Sequence, residues 1–373
     1  MIMSKHSVLF PGGIALQVED GITLKEVMND AGINFDFPCG GRGRCGKCLV
    51  KITEGVGEPL EAEKKKLSPE QISEGIRFAC LTKVHNDLKV DFLSSKNVQH
   101  RILLSSLNRA AKVEPHFTKR YLEVEKATLT YHRTDWQRIK DGLMAQGKNI
   151  SVTGTPLAVV QSVPDLLRDN QNKITAVMLN DEIRGLEAGN TSEKMYGMAF
   201  DIGTTTIAGF LMDLYTGEEL SVASTLNPQT QFGADVISRI GYANENPDGL
   251  ANLHRVVTKA INGLIGEAAA KAGISRQDIN AVTVVGNTCM HHLFLGINPR
   301  DVALAPYVPV ISEKMEVDPE LLQLEINPAG KVFVLPNVAG FVGADTIGVL
   351  LATELDESEE IKLVVDIGTN GEM

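Results

Sequence analysis

Residues 6–10 (HSVLF) and 13–20 (GIALQVED) alternate apolar and polar positions with the period of two that sends successive side chains to opposite faces of a strand. The stretch TLKEVMNDAG then changes to a helical spacing that closes at Gly32. CLVKITEG returns to alternation, with Val50 and Ile52 set against Lys51 and Thr53, and DLKVDFL supplies another strand after a charged segment. This mixture predicts a small α+β unit closing near Leu93. The polar run from Ser94 to Pro115 reads as a linker or extended arm. A second small region, from Lys119 to about Glu193, mixes RYLEVEKATL, a helix-like TDWQRIKDGLMAQ and ITAVMLNDEIRGLEAG, and shows no nameable chemistry.

The third region opens with YGMAFDIGTTTIAGFLMDLYTGEEL, in which an apolar strand enters an Asp-Ile-Gly-Thr turn and a second strand leaves it. The same turn returns as IKLVVDIGTNGEM, so the two copies begin at Asp201 and Asp366. Between them lie the helical pattern LANLHRVVTKAINGLIGEAAAKAG and the buried-strand runs AVTVVGN and KVFVLPN.

Composition narrows the possibilities. The 373 residues are 43% hydrophobic and 22% charged, enough length and apolar content for two or three cored domains. A formal net charge of −11 argues against a surface that tracks phosphate along nucleic acid. The N-terminus has neither a long apolar core nor a small-residue cleavage site, and no run of about 18 apolar residues occurs, so neither a signal peptide nor a membrane span is expected. Four of the five cysteines fall in the first 80 residues, which suits a cytoplasmic metal site better than a secreted disulfide frame.

Those cysteines sit in FPCGGRGRCGKCLV, a stretch open to three readings. Gly41, Gly43 and Gly46 fit a dinucleotide fingerprint, and Gly41 to Lys47 fit most of a phosphate-binding P-loop. Both need a strand before the glycines and a helix after them, because the helix N-terminus receives the phosphate. Here a proline precedes and a strand follows, and Cys48 stands where a magnesium-binding hydroxyl would be required. A [2Fe–2S] centre instead needs four thiolates. Cys39, Cys45 and Cys48 offer three from one loop, and Cys80 in GIRFACLT offers the fourth. Gly40, Gly41, Gly43 and Gly46 allow the backbone to wrap closely and turn N–H groups toward sulfur. The spacing resembles that of [2Fe–2S] ferredoxins with a β-grasp fold. Zinc is the alternative for four thiolates, but its usual pattern has two close cysteine pairs and this chain has one.

The repeated turn points to nucleotide. Gly203 and Thr204, Thr205 and Thr206 can present N–H groups and hydroxyls to phosphate while Asp201 holds hydrated magnesium, and Asp366, Gly368, Thr369 and Asn370 can do the same from the other side. Such paired turns resemble the phosphate loops of the acetate and sugar kinase, Hsp70 and actin superfamily, with ATP and Mg2+ in a cleft between two lobes.

A cysteine loop and a kinase-like lobe on one chain resemble the ATP-dependent reductive activators of corrinoid proteins. CGGRGRCGKC, TDWQRI, FDIGTTT, NPQTQFGADVISRI, VVGNTCMHHLFLG, VAGFVGADTIG and DIGTNGE carry that resemblance along essentially the whole chain. It implies a multidomain α/β and α+β architecture: a β-grasp ferredoxin-like domain over 1–93, a linker over 94–118, a small middle domain over 119–195, and over 196–373 the ribonuclease-H-like first lobe of an actin-like ATPase. It also implies a low-potential electron donor, and a corrinoid protein as acceptor that is returned from Co(II) to Co(I). A homodimer is left open, and no nucleic-acid or membrane partner is expected. The chain ends three residues past Asn370, so only the first strand and turn of the second lobe are expected, without the adenosine-binding segment. Two alternatives stand beside this reading: a [2Fe–2S] electron-transfer protein without ATPase activity, and a small-molecule kinase with a fused redox domain.

Several residues carry more than one reading. Asp345 in FVGADT resembles a position that orients magnesium or attacking water, but it could also cap a helix, and Asp235 shares the ambiguity. His291 and His292 point about 100° apart on a helix and read as packing rather than a metal pair. Cys289 reads as a buried core thiol and Trp136 as core of the middle domain. Arg42, Arg44 and Lys47 suit either a tuning or docking role at the cluster or a solvated face.

Overall fold

The structure is a computed structural model, and it describes residues 5–33, 35, 37, 41, 43–93, 113–147, 155–355, 361–367 and 371–372. In the N-terminal unit, strands β1 (Lys5–Phe10) and β2 (Ile14–Glu19) form a hairpin, followed by helix α1 (Leu24–Asp30). Thr23 caps this helix reciprocally with Glu26, which fixes where it starts. Then come β3 (Leu49–Glu54), the short helices α2 (Glu61–Lys64) and α3 (Pro69–Ser73), β4 (Ile76–Phe78) and β5 (Leu88–Phe92).

The sheet order is β2-β1-β5-β3-β4 with β1 parallel to β5, the β-grasp arrangement expected from the sequence. One face is closed by Leu24, Val27 and Met28 of α1 packing on Val8, Val50, Phe78 and Val90, all buried. The cysteine loop leads directly into β3, and Cys80 follows β4, the strand paired with β3.

Most of the expected arm after Leu93 lies outside the described residues. The middle unit is an antiparallel meander of β6 (Phe117–Glu123), β7 (Lys173–Leu179) and β8 (Glu182–Ala188), covered by α4 (Asp135–Ala145) and α5 (Leu157–Asp169). Trp136 is half-buried against this core, as the sequence suggested. Helix α5 has no counterpart in the sequence reading. Its β-branched residues and internal Pro164 obscure a helical pattern, although Val159, Val163 and Leu167 form a buried stripe at four-residue spacing.

The third unit contains β9 (Tyr196–Ile202), β10 (Thr206–Asp213), β11 (Glu219–Leu226), α6 (Val236–Glu245), α7 (Gly249–Ala272), β12 (Ile279–Gly286), α8 (Thr288–Phe294), β13 (Met315–Val317), β14 (Lys331–Val334) and α9 (Ala344–Thr353). Its sheet order is β11-β10-β9-β12-β14-β13. β9, β10 and β11 form an antiparallel meander, while β12 and β14 run parallel to β9. That is the ribonuclease-H-like order. Met198, Phe200, Ile202, Val282 and Val284 share the face packed under α7, and alternation sends Val285 to the opposite face, against Gly348 of α9. Lastly, β15 (Asp366–Ile367) pairs antiparallel with β16 (Gly371–Glu372). Among the described residues, no helix is long and apolar enough to cross a membrane.

Candidate functional site

Pairing of β3 with β4 brings two predicted ligands together. The Ala79 N–H donates to the Cys48 carbonyl at 2.9 Å, and the Cys48 and Cys80 sulfurs lie 3.2 Å apart, both buried. The hydrogen bond shared with the Cys80 thiol is the main cause holding the Cys48 thiol down at about 7, against the upward push of burial. Backbone N–H groups of Cys80 and of Cys48 itself add to the lowering, as a site built for thiolate requires.

Cys45 is half-buried in the same loop, and no described cysteine is joined in a disulfide. The loop needs its glycines. Gly43 adopts φ +67°, and a Cβ there would sit 2.7 Å from the Leu81 side chain. Cys39, Gly40 and Arg42 lie outside the described residues, and among those described no three His, Cys, Asp or Glu side chains gather as a metal site. Arg44 is exposed and Lys47 is exposed as well. Two buried sulfurs at this separation, Cys48 and Cys80, fit two of the four thiolates that an iron–sulfur cluster requires.

The second candidate site lies at the carboxyl ends of the parallel strands, where open α/β sheets bind ligands. Asp201 stands exposed at the end of β9. Gly203 is required there, because a Cβ would lie 2.8 Å from the Thr206 carbonyl oxygen. Thr204 is buried, and its hydroxyl accepts a hydrogen bond from the Asn287 side-chain amide at 2.9 Å, while Thr205 and Thr206 are half-buried.

Three residues missed by the sequence reading hold this turn. Asn227 donates to the Gly203 carbonyl at 2.8 Å, Arg239 donates to the Thr204 carbonyl, and Asn287 holds Thr204 while capping α8 through the Met290 N–H. Arg239 is fully buried and also donates to the Gly233 carbonyl and Gln229 Oε1; burial pushes it down to about 10. Only the surrounding motif NPQTQFGADVISRI hinted at Asn227 and Arg239.

The other turn tips close on the same edge. A Cβ on Gly343 would lie 2.5 Å from the Asn287 Cα, and the Thr288 hydroxyl donates to the Ala339 carbonyl at 2.7 Å. Gly343 caps α9, so Asp345 lies within the first turn instead of serving as its cap; its Oδ1 accepts the Thr346 N–H. Asp235, by contrast, is the cap of α6, accepting the Ser238 N–H at 2.7 Å.

A cavity of about 760 Å³ adjoins this edge, lined by Asp235, Asn287 and Thr288 together with Phe341, Leu350 and Leu363. Asp201, Gly203–Thr206 and Asp345 are not among the described residues that line this largely apolar space. Asp366 begins β15, while Gly368, Thr369 and Asn370 lie outside the described residues. His291, His292 and Cys289 are all buried in α8, and burial pushes the Cys289 thiol up to about 12, which makes it a core thiol.

Comparison with known proteins adds family context. The 2Fe-2S iron-sulfur cluster binding domain matches residues 10–85, the RACo linker region 106–193 and the RACo middle region 196–358. The chain is 31% identical to the corrinoid activation enzyme RamQ of Eubacterium limosum, over 98% of this chain and 58% of that protein. A solved structure described as a reductive activator for corrinoid, iron-sulfur protein aligns with a TM-score of 0.63 at 35% identity, covering 98% of this chain and 60% of that one. One component of the Na(+)-translocating NADH-quinone reductase of Chlamydia muridarum is 30% identical over 33% of this chain and 32% of its own length. The chain thus spans about three fifths of the corrinoid-activating relatives it matches.

Proposed function

The chain belongs to the RACo family of reductive activators of corrinoid proteins, and from that membership we propose that it passes low-potential electrons to an inactive Co(II) corrinoid on a methyltransferase-system partner, restoring Co(I) with the help of ATP. The observation that carries this reading is the buried Cys48–Cys80 thiol pair on a β-grasp unit, with backbone N–H groups directed at sulfur. Cys48 and Cys80 would hold one iron of a [2Fe–2S] cluster, and Cys39 with Cys45 the other. Such a cluster supplies one-electron transfer near about −400 mV in plant-type proteins.

Passing an electron to an acceptor that lies a further ~100 mV lower in potential costs roughly 2 kcal/mol, which nucleotide binding or hydrolysis would offset. Asp201 would hold hydrated Mg2+, while the backbone of Gly203 and the Thr205 and Thr206 hydroxyls would meet phosphate. Asp366, Gly368, Thr369 and Asn370 would close the site opposite, and Asp345 would orient magnesium or water. Asn227, Arg239 and Asn287 support that role by keeping the first turn rigid. A low-potential donor supplies the electron, and the reducing cytoplasm is the compartment that keeps these thiols available. Domain limits at 93, 118 and 195 and a homodimer belong to the same proposal.

The test uses anaerobically prepared protein, a Co(II) corrinoid protein and a low-potential reductant, following Co(I) optically with and without ATP. The parent is expected to carry about two irons per chain, Cys80→Ser to lose the visible absorption, and Co(I) formation to depend on ATP. Zinc in place of iron would refute the cluster. Equal rates with and without ATP would remove the coupling and leave an electron carrier, whereas phosphoryl transfer to a small molecule would favour the kinase alternative.

A further inference from the structure

Helix α2 and the residues just after it are tied to both cysteine-bearing segments at once. Glu63 is only 1% exposed, although it belongs to a one-turn helix in a charged stretch. Its Oε1 accepts the Phe78 N–H at 2.7 Å, and its Oε2 accepts the Leu60 N–H at 2.8 Å. Phe78 leads into the segment whose next residue binds the Cys48 carbonyl and whose following residue is Cys80. Among the described residues, no cation lies within ion-pair distance of this carboxylate.

Lys66 reaches the opposite way. Its ammonium donates to the Arg44 carbonyl, in the loop that carries Cys45 and Cys48, and its stem passes 3.4 Å from the place a Cβ on Gly46 would occupy. A carboxylate therefore holds the strand side of the cysteine site and an ammonium holds the loop side. A buried carboxylate without a counter-ion is a costly way to cap one helical turn, since an exposed cap would serve as well. Its bond to the Phe78 N–H, two residues before Cys80, gives it a use at the cysteine site. Each electron added near a fixed negative charge is disfavoured, and net charge is one of the factors that set the potential of an iron–sulfur centre.

We propose that Glu63 and Lys66 are positioning residues of the cysteine site, and that the fixed charge of Glu63 holds the reduction potential of the bound cluster below the value it would otherwise have. The proposal rests on the cluster reading above. The reaction concerned is one-electron reduction of the cluster by dithionite, with dithionite oxidised and the electron held on iron.

The experiment is a potentiometric titration of the anaerobic parent, Glu63→Gln, Glu63→Asp and Lys66→Met, read by visible absorption and by electron paramagnetic resonance of the reduced form. Glu63→Gln is expected to shift the midpoint to more positive potential, Glu63→Asp to stay near the parent, and Lys66→Met to shift the other way. General loosening of the site would move Glu63→Gln and Lys66→Met in the same direction. Equal midpoints for Glu63→Gln and the parent, or Glu63→Asp matching Glu63→Gln, would overturn the proposal. So would a Glu63→Gln protein unable to take up iron under conditions where Glu63→Asp loads, because the residue would then serve assembly alone. A parent without iron would instead defeat the cluster reading, separately from the claim about charge.

Discussion

At the scale of single residues, α8 shows how the lobe spends two histidines on packing. His292 is satisfied: its Nδ1 lies 2.7 Å from the Thr288 carbonyl and its Nε2 accepts the Val310 N–H at 3.0 Å, which defines the neutral ring with the proton on Nδ1. His291, 2% exposed, has no hydrogen-bond partner for either ring nitrogen among the described residues. Burial, with a smaller contribution from His292, pushes it from 6.5 down to about 4. Because the folded value lies below the unfolded one, the unfolded chain binds more protons between them. Stability is therefore complete above pH 6.5 and falls as pH drops toward 4, by on the order of 3 kcal/mol. Burial shifts His292 in the same direction. Thermal melts of the parent across that window should show the loss, and His291→Leu should flatten it; an unchanged slope in the variant would show that other groups govern acid stability.

At the scale of elements, the turn after β9 depends on a residue from a different turn. Asn287 donates to the Thr204 hydroxyl and accepts the Met290 N–H, so one amide serves as both brace and helix cap. Asn287→Ala should cost about 2 kcal/mol, combining a lost cap with a buried hydroxyl left without its donor. Asn287→Asp keeps the cap oxygen but loses the donor, so in denaturant titrations it should fall between the parent and Asn287→Ala. If the two variants were equally unstable, the donor to Thr204 would be the whole contribution and the cap would add nothing. The Asp-Ile-Gly-Thr turn was legible in the sequence because glycine and threonine types reveal local geometry, as were the cysteine spacing and the long helix α7. Asn227, Arg239 and Asn287 were not, because what makes them structural is contact with chain distant in sequence. Helix α5 was hidden by its own composition, whereas the choice of cap at α9 fell to Gly343 through its close approach to Asn287, which no local pattern records.

At the scale of the whole molecule, the middle unit is fastened to the lobe by a small polar network beside an apolar patch. Phe117, Val177 and Leu179 of the meander join Met195 and Ala329 in one buried cluster. Next to it, the Lys119 side chain is fully buried, with its ammonium 2.9 Å from Glu187 Oε2, while Glu187 Oε1 accepts from the Asn327 side chain of the lobe at 2.7 Å. Arg184 pairs with Asp318 across the same junction at 2.6 Å. Glu187 is thus the hinge of the network: its charge neutralises a lysine on one strand while its second oxygen holds the neighbouring unit. Glu187→Ala would leave the Lys119 ammonium buried and unpaired, at a cost of about 3–5 kcal/mol. The expected readout is faster hydrogen exchange in both β6 and the 326–330 segment, with an earlier melting transition. Glu187→Gln should retain the bond to Asn327 and so preserve exchange in 326–330 better than in β6. Replacing both members, Lys119→Met with Glu187→Leu, should recover much of the stability, because it removes the stranded charge along with its partner. Exchange in Glu187→Ala matching the parent at both segments would show that the apolar patch alone fastens the units, and the electrostatic account of this joint would then fail.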